Sequence, residues 1–380
     1  MWPNCAQMTA FSDLATILRP AGGGLHLVST GKAAQVALQR RIYGAQTDAE
    51  VDAKWKEALG RVQNARIAIL GIPSDVGAGF LRGANLGPQA IRTALLDEEP
   101  AFANAMSARG IVDVGDVFVV PQLLHDDMIS ESQLAASRRA LYPKLSVDEA
   151  KKLPVSPLSI AERALDRLFE INPSIAPVLL GGDHSTAWPA AVSIARARAQ
   201  RKDAEPWAIV QIDAHTDMLE ERLGIKYCFA TWSFHASRLF DRPDKMVQIG
   251  IRASGHPRSH WEGNTGVRQF WADEANAKPA EVTRAIVDHL RAMGVKKVYF
   301  SNDIDGTDEA FADATGTPEP GGLHPDFVTE LVTTLGREIG LLGGDVMEVA
   351  PPIARTPGGG ARTVSLAVRY LKATIDAILG

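Results

Sequence analysis

Cysteine is nearly absent. Cys5 and Cys228 are the only two in 380 residues, which leaves no disulfide framework or cysteine-ligated zinc site and fits a reducing compartment. Long apolar runs are missing as well. No stretch approaches the roughly 20 apolar residues that span a bilayer. The opening, MWPNCAQMTAFSDLATILRP, has neither the basic start nor the apolar core of a secretory signal. Strong charge of one sign is also lacking, and a net charge of −5 gives no case for nucleic acid or an anionic membrane as partner. What remains is a soluble, cytoplasmic globular protein, consistent with 46% apolar and 22% charged residues.

What is present is a regular alternation of elements. Residues 1–64 read as an N-terminal extension, with a glycine cluster (PAGGGLH) and a charged helical stretch near TDAEVDAKWKEALGRV. From residue 65 the character changes. Strands are predicted at 66–72, 110–117, 176–182, 207–212, 246–251, 297–303 and 341–349, in runs that are largely apolar and β-branched. Helices are predicted at 88–99, 159–171, 185–200 (with Ser185 near the N-cap), 280–294, 324–339 and 362–379. The polar segment 121–157 reads as an insertion with a short surface helix in VDEAKKL. Strands alternating with helices predict an α/β fold whose mostly parallel sheet is covered on both faces. Sites in such sheets lie at the carboxyl ends of the strands.

Three predicted strand ends carry metal-seeking side chains. VLLGGDHS ends in Asp183 and His184, IVQIDAHTD in Asp213, His215 and Asp217, and VYFSNDIDGTD in Asp303, Asp305 and Asp308. In an extended chain the period of two turns Asp213, His215 and Asp217 to one side. Singly, each motif has a plain account as a turn or a hydrogen-bonded loop, since Asp favours such positions. Together they place carboxylates and imidazoles at equivalent ends of several strands, although Asp and His are seldom buried without partners. The four carboxylates of Asp213, Asp217, Asp303 and Asp305 would repel one another in a low-dielectric cleft. Two divalent cations would cancel that charge, with one neutral imidazole for each from His184 and His215. This donor mix suits Mn(II), Ni(II), Fe(II) or Zn(II), and such a pair can bring the pKa of water toward neutrality.

GGDHS, DAHTD and SNDIDGTDEAFADATGTPEPGG resemble the signature segments of the ureohydrolase family of arginases, agmatinases, guanidinobutyrases and guanidine hydrolases. RGANLGPQAIR (82–92), DVGDV (113–117) and GGDVMEVAPP (343–352) are similar to further family segments, in the same order. The resemblance covers residues 65–380 and implies a ureohydrolase catalytic domain there. It implies a three-layer α/β/α fold with an eight-stranded, mostly parallel sheet, a binuclear centre of two Mn(II) or Ni(II) ions, and trimers or hexamers, with a paralogous subunit as one option. By the same resemblance His184 and Asp217 bind one ion, His215 and Asp305 the other, and Asp213 and Asp303 bridge. Glu348 faces the planar guanidinium of the substrate, a pairing that suits a carboxylate. Thr317 lines the pocket, and Asp183 and Asp308 orient ligands.

One loop departs from the family pattern. YCFATWSFHASR places Phe229 and Ala230 where agmatinases carry a His-Gly pair. Its Trp-Ser-Phe-His-Ala run is similar to guanidine hydrolase-type members. His235 is the candidate replacement proton carrier, with Asp305 and solvent as the other route. Phe229 and Trp232 are candidate pocket walls, although core packing accounts for aromatic residues equally well. The region 218–227 carries Glu220 and Glu221 and lacks an Asn that arginases use for the amino-acid end. The expected activity is therefore hydrolysis of the guanidino C–N bond in a small or alkyl-substituted guanidino compound (guanidine, an alkylguanidine or a biguanide). An agmatinase, a guanidino-acid hydrolase and a partner subunit of a mixed oligomer are the alternatives. A deacetylase-like hydrolase with a single zinc fits the ligand count less well.

Overall fold

In the computed structural model, which describes residues 5–202 and 204–380, nine strands form one sheet. They are β1 (Leu18–Arg19), β2 (Ile67–Gly71), β3 (Ile111–Val117), β4 (Ala176–Leu180), β5 (Trp207–Ile212), β6 (Met246–Ile251), β7 (Arg268–Trp271), β8 (Lys297–Asn302) and β9 (Leu341–Val346). Their order across the sheet is β1-β3-β2-β4-β9-β8-β5-β6-β7. All neighbouring pairs are parallel except β1 with β3. The expected eight-stranded sheet is therefore present as β2–β9, and a ninth strand is added from the segment before residue 65. That strand is two residues long and has no period to read, which is why the sequence did not reveal it. β7 was also missed, because RQFW is too short for its alternation to stand out.

Helices cover both faces, which explains why the central strands are buried along their whole length. The helices at Pro157–Ile171 and Trp188–Ala199 pack on each other, as do those at Pro325–Glu338 and Gly359–Leu379. The first helix, Cys5–Ile17, lies along Pro157–Ile171, and Val51–Gly60 packs on β3 with the Trp55 indole donating to Val114 O at 3.0 Å. Leu14, Ile17, Trp55 and Val62 thus belong to the common hydrophobic core. The helix Gly87–Glu98 is fastened to β3 by Arg92, whose Nε and Nη2 donate to Asp113 at 2.8 and 2.9 Å and whose Nη1 reaches Asp116 at 2.5 Å. Burial opposes the charge on Arg92, and the two carboxylates override it and raise its pKa. The short surface helix in the insertion spans Val147–Ala150, with a capping box between Ser146 and Glu149. No described helix is long and apolar enough to cross a membrane, and Cys228 is a free, buried thiol.

Candidate metal centre

The strands β4, β9, β8 and β5 are consecutive in the sheet, and their carboxyl ends bring the predicted residues together. His184 follows β4, Glu348 follows β9, Asp303 and Asp305 follow β8, and Asp213, His215 and Asp217 follow β5. Two glycines permit the approach. A Cβ on Gly182 would lie 1.7 Å from Ser74 O, and one on Gly306 would lie 2.7 Å from Asp213 N.

Two groups of potential ligand atoms form at these ends, His184–Asp213–Asp217 and Asp213–His215–Asp305, and they share Asp213. His184 Nδ1 lies 3.0 Å from Asp213 Oδ2, 3.3 Å from Asp217 Oδ2 and 3.0 Å from Asp303 Oδ2. His215 Nδ1 lies 3.2 Å from Asp305 Oδ2 and 3.6 Å from Asp213 Oδ1. The two oxygens of Asp213 thus face different groups, as a bridging carboxylate must. Asp303 sits on the His184 side by its Oδ2, while its Oδ1 accepts from Asp305 N at 2.9 Å.

The donor set around His184 fits a cation. His184 Nε2 contacts Ser301 Oγ at 3.1 Å, and Ser301 Oγ donates onward to Asp345 Oδ1 at 3.0 Å. The Ser301 oxygen therefore accepts from Nε2–H, which leaves Nδ1 with its lone pair toward three carboxylate oxygens. That atom is buried and has no hydrogen-bond partner. Lone pair against carboxylate is repulsive unless a cation or a proton lies between them. Without a metal, the proton is drawn in. Burial works against a charged imidazole, yet Asp213, Asp217 and Asp303 push His184 well above its ordinary value. For His215 burial is likewise overridden, by Asp305 and Asp213, and its pKa rises to about 12. Burial and the charge of Asp213 raise Asp217 to about 7, whereas the two histidines hold Asp213 low against the cost of its burial.

Backbone strain is concentrated here. Asp217 and Glu348 have φ of 52° and 61°, a left-handed conformation that costs a non-glycine residue about 1–2 kcal/mol. Each is held by what surrounds it. Asp217 Oδ2 accepts from the Trp232 indole at 3.0 Å. Glu348 N donates to Gly182 O at 2.8 Å, and its Oε1 accepts from His184 N at 2.9 Å. Burial, with Asp303 and Asp183 nearby, raises the Glu348 carboxyl well above the usual range.

The remaining candidates are less uniformly placed. Thr317 Oγ1 donates to Asp305 Oδ2 at 3.0 Å, so it touches a metal-type carboxylate directly. Trp232 is 1% exposed, and its ring lies against His184 at 4.6 Å between centroids; it backs the ligands. Phe229 lines a cavity of about 520 Å³ together with Gly77, Phe80, Met128, Leu223 and Ile225. His235 Nε2 lies 3.0 Å from the carbonyls of Glu220 and Lys226, so it donates to the loop. Burial lowers its pKa, which keeps the ring neutral. Glu220 and Glu221 are exposed. Asp183 and Asp308 direct their carboxylates to loop amides: Asp183 to Gly77 N and Ser185 N, Asp308 to Ala310 N and Gly322 N. Asp183, not Ser185, caps the turn that leads into the helix at Trp188–Ala199. Ser301 and Asp345 escaped the sequence reading because nothing local marks them; their role depends on the pairing of β8 with β9.

The protein is a mostly parallel α/β sheet whose strand ends gather two potential oxygen-and-nitrogen ligand groups around a common carboxylate. Its sequence matches the Arginase family over residues 65–375, and the chain belongs to that family. It is 30% identical over 329 residues to a guanidinobutyrase of Pseudomonas aeruginosa, covering 84% of this chain and 86% of that one. It is 32% identical over 298 residues to a proclavaminate amidinohydrolase of Streptomyces clavuligerus, covering 75% and 80%. The solved structure of proclavaminate amidino hydrolase from S. clavuligerus superposes with a TM-score of 0.60 at 29% identity, over 82% of this chain and 92% of that one. The chain is thus a hydrolase acting on guanidino compounds.

Proposed function

We propose that this hydrolase cleaves the guanidino C–N bond of a small or alkyl-substituted guanidine, an alkylguanidine or biguanide included, releasing urea or a substituted urea and an amine. The observation that carries the reading is the open, largely apolar cavity lined by Phe229, Leu223 and Ile225, which borders the loop whose Gly77 N donates to Asp183 Oδ2 at 3.0 Å. An alkyl substituent gains about 0.8 kcal/mol per buried CH₂ against such a wall, whereas an α-amino-acid end would lose hydration there.

His184, Asp213, Asp217, Asp303, Asp305 and His215 are the residues that would hold two divalent ions, Mn(II) or Ni(II). When bound, those ions neutralise the carboxylates and acidify water. Glu348, beside His184, pairs with the guanidinium and turns its carbon toward the ligand groups. Water adds to that carbon and gives up a proton to Asp305, which Thr317 orients. The tetrahedral adduct collapses as the leaving nitrogen takes a proton, so guanidinium plus water yields urea plus ammonium or an alkylammonium. His235 fastens residues 220–226 over the helix at Trp232–Ser237, and as the proton carrier it would have to act through Nδ1. Residues 65–380 form the catalytic unit in this reading, residues 1–64 are an N-terminal extension of which the described part, 5–64, folds against it, and the assembly is a cytoplasmic trimer or hexamer, alone or with a paralogous subunit.

A guanidino-acid hydrolase is the second reading. Arg222 lines the same cavity with its guanidinium 4.9 Å from the Phe229 ring, where it could meet a carboxylate. Urea release from guanidine, alkylated guanidines and biguanides, agmatine, guanidino acids and arginine, with Mn(II) and with Ni(II), decides between them. Arginine as the best substrate overturns the first reading, and a guanidino acid as the best substrate establishes the second.

A further inference from the structure

Three glutamines lie buried side by side in the sheet. Gln211 of β5 is in register with Gln248 of β6, and Gln248 with Gln269 of β7. Each is 0% exposed, in strand interiors where an amide is tolerated only if its hydrogen bonds are made. The bonds form one continuous row. Trp271 Nε1 donates to Gln269 Oε1 at 3.0 Å, Gln269 Nε2 to Gln248 Oε1 at 2.8 Å, and Gln248 Nε2 to Gln211 Oε1 at 2.8 Å. The row ends where Gln211 Nε2 donates to Asp213 Oδ2 at 2.6 Å.

The direction of every amide follows from chemistry. An indole N–H can only donate and an ionised carboxylate can only accept. With Trp271 at one end and Asp213 at the other, each intervening amide has one orientation that satisfies both neighbours. Two side branches agree: Ser233 Oγ donates to Gln211 Oε1 at 2.8 Å, and Gln248 Nε2 also donates to Thr216 O at 2.5 Å. All three amide dipoles therefore point their N–H ends toward Asp213, and aligned bonds of this kind reinforce one another.

Asp213 is the carboxylate shared by the two ligand groups. Gln211 holds its Oδ2 and the backbone N–H of His215 holds its Oδ1 at 2.6 Å. Rotation about the carboxylate bond would break both contacts and turn one oxygen away from its group. We propose that the Gln211–Gln248–Gln269 row, anchored by Trp271 at the sheet edge, is a positioning device that keeps Asp213 in its bridging orientation. Residues up to two strands away then help set the affinity of both ion sites. This inference rests on the binuclear reading.

The test is Mn(II) affinity of the full chain, measured by chelator competition on protein shown to be folded by circular dichroism. Gln248→Leu, Gln269→Leu and Gln269→Glu are compared with Gln35→Leu. Gln35 is a buried glutamine remote from the centre whose side chain bonds to Gly22 O. Gln269→Glu keeps the shape, and as a carboxylate it cannot donate to Gln248. Gln248→Leu is expected to weaken both ions together by about tenfold, the lower end of what outlying partners of metal ligands cost. The two Gln269 variants lose less, and Gln35→Leu lowers Tm alone. Folded Gln248 and Gln269 variants that bind two Mn(II) as tightly as the wild type overturn the inference while leaving the binuclear reading intact. A wild-type chain that binds fewer than two overturns both. If Gln248→Leu does not fold, the Gln269 pair at the sheet edge decides.

Discussion

The Trp232 indole donates its N–H to Asp217 Oδ2 at 3.0 Å. The same ring lies 4.6 Å from the His184 imidazole. One side chain therefore supports two ligands of a single group, His184–Asp213–Asp217, and touches neither His215 nor Asp305 by hydrogen bond. Trp232→Phe keeps the ring but removes the donor. It is expected to weaken one ion of the two by about 10- to 100-fold. Elemental analysis after gel filtration should then fall toward one metal per chain, and loss of both ions together would disprove the division of labour.

Glu348 combines a guanidinium-facing role with a strained backbone, and two substitutions separate them. Glu348→Gln preserves shape and removes charge. Losing one charge-assisted contact costs about 1.5–3 kcal/mol, roughly 10- to 150-fold in kcat/KM, with both metals retained. Glu348→Gly releases the φ of 61°, worth about 1–2 kcal/mol, but also removes the acceptor for His184 N, which costs about as much, so Tm should change little while turnover is lost. Unchanged activity with falling metal content would make Glu348 a structural residue.

The loop 227–235 can be tested for specificity by kinetics. Phe229→His should raise polarity in the cavity and lower kcat/KM for alkylated guanidines by about fourfold per methylene whose burial is lost. His235→Ala should act on KM through the 220–226 loop, because its Nε2 bonds to that loop. A collapse of kcat with KM unchanged, and a lost basic limb in the pH profile, would instead make His235 the proton carrier.

Acid stability offers a check away from the centre. Glu162 receives His125 Nε2 at 3.1 Å, Trp188 Nε1 at 3.1 Å and Arg196 Nη2 at 2.7 Å. Burial opposes its charge, and these partners more than compensate, so its pKa lies below the ordinary 4.5. A depressed carboxyl contributes stability that is full above the unfolded value and is lost as pH falls through the folded one. Tm of the wild type should therefore drop below about pH 4.5. Glu162→Gln should be less stable at pH 7 by about 1–2 kcal/mol and flatter across that acid range. Parallel Tm curves would show that Glu162 makes no such contribution.

By itself, the sequence located the strand ends and the candidate metal-ligating residues. The signals there are local: period-two spacing puts Asp213, His215 and Asp217 on one side, and a buried apolar run before each motif marks a strand in a parallel sheet. It also singled out Glu348 as a candidate through the resemblance of GGDVMEVAPP to a family segment, and the structure sets its carboxylate against His184 N. Tertiary structure decided the rest. The Gln211–Gln248–Gln269 row depends on register between strands 37 and 21 residues apart, and no window of sequence contains it. Ser301 and Asp345 became partners of His184 only when β8 lay beside β9. Trp232 and His235 share a face of one short helix, three positions apart, yet one bonds to Asp217 and the other to loop carbonyls, because different segments of the chain pack over the two rings. Residues 10–64 joined the core and added β1 because their apolar side chains could be buried only against the helix and strand that the rest of the chain supplies.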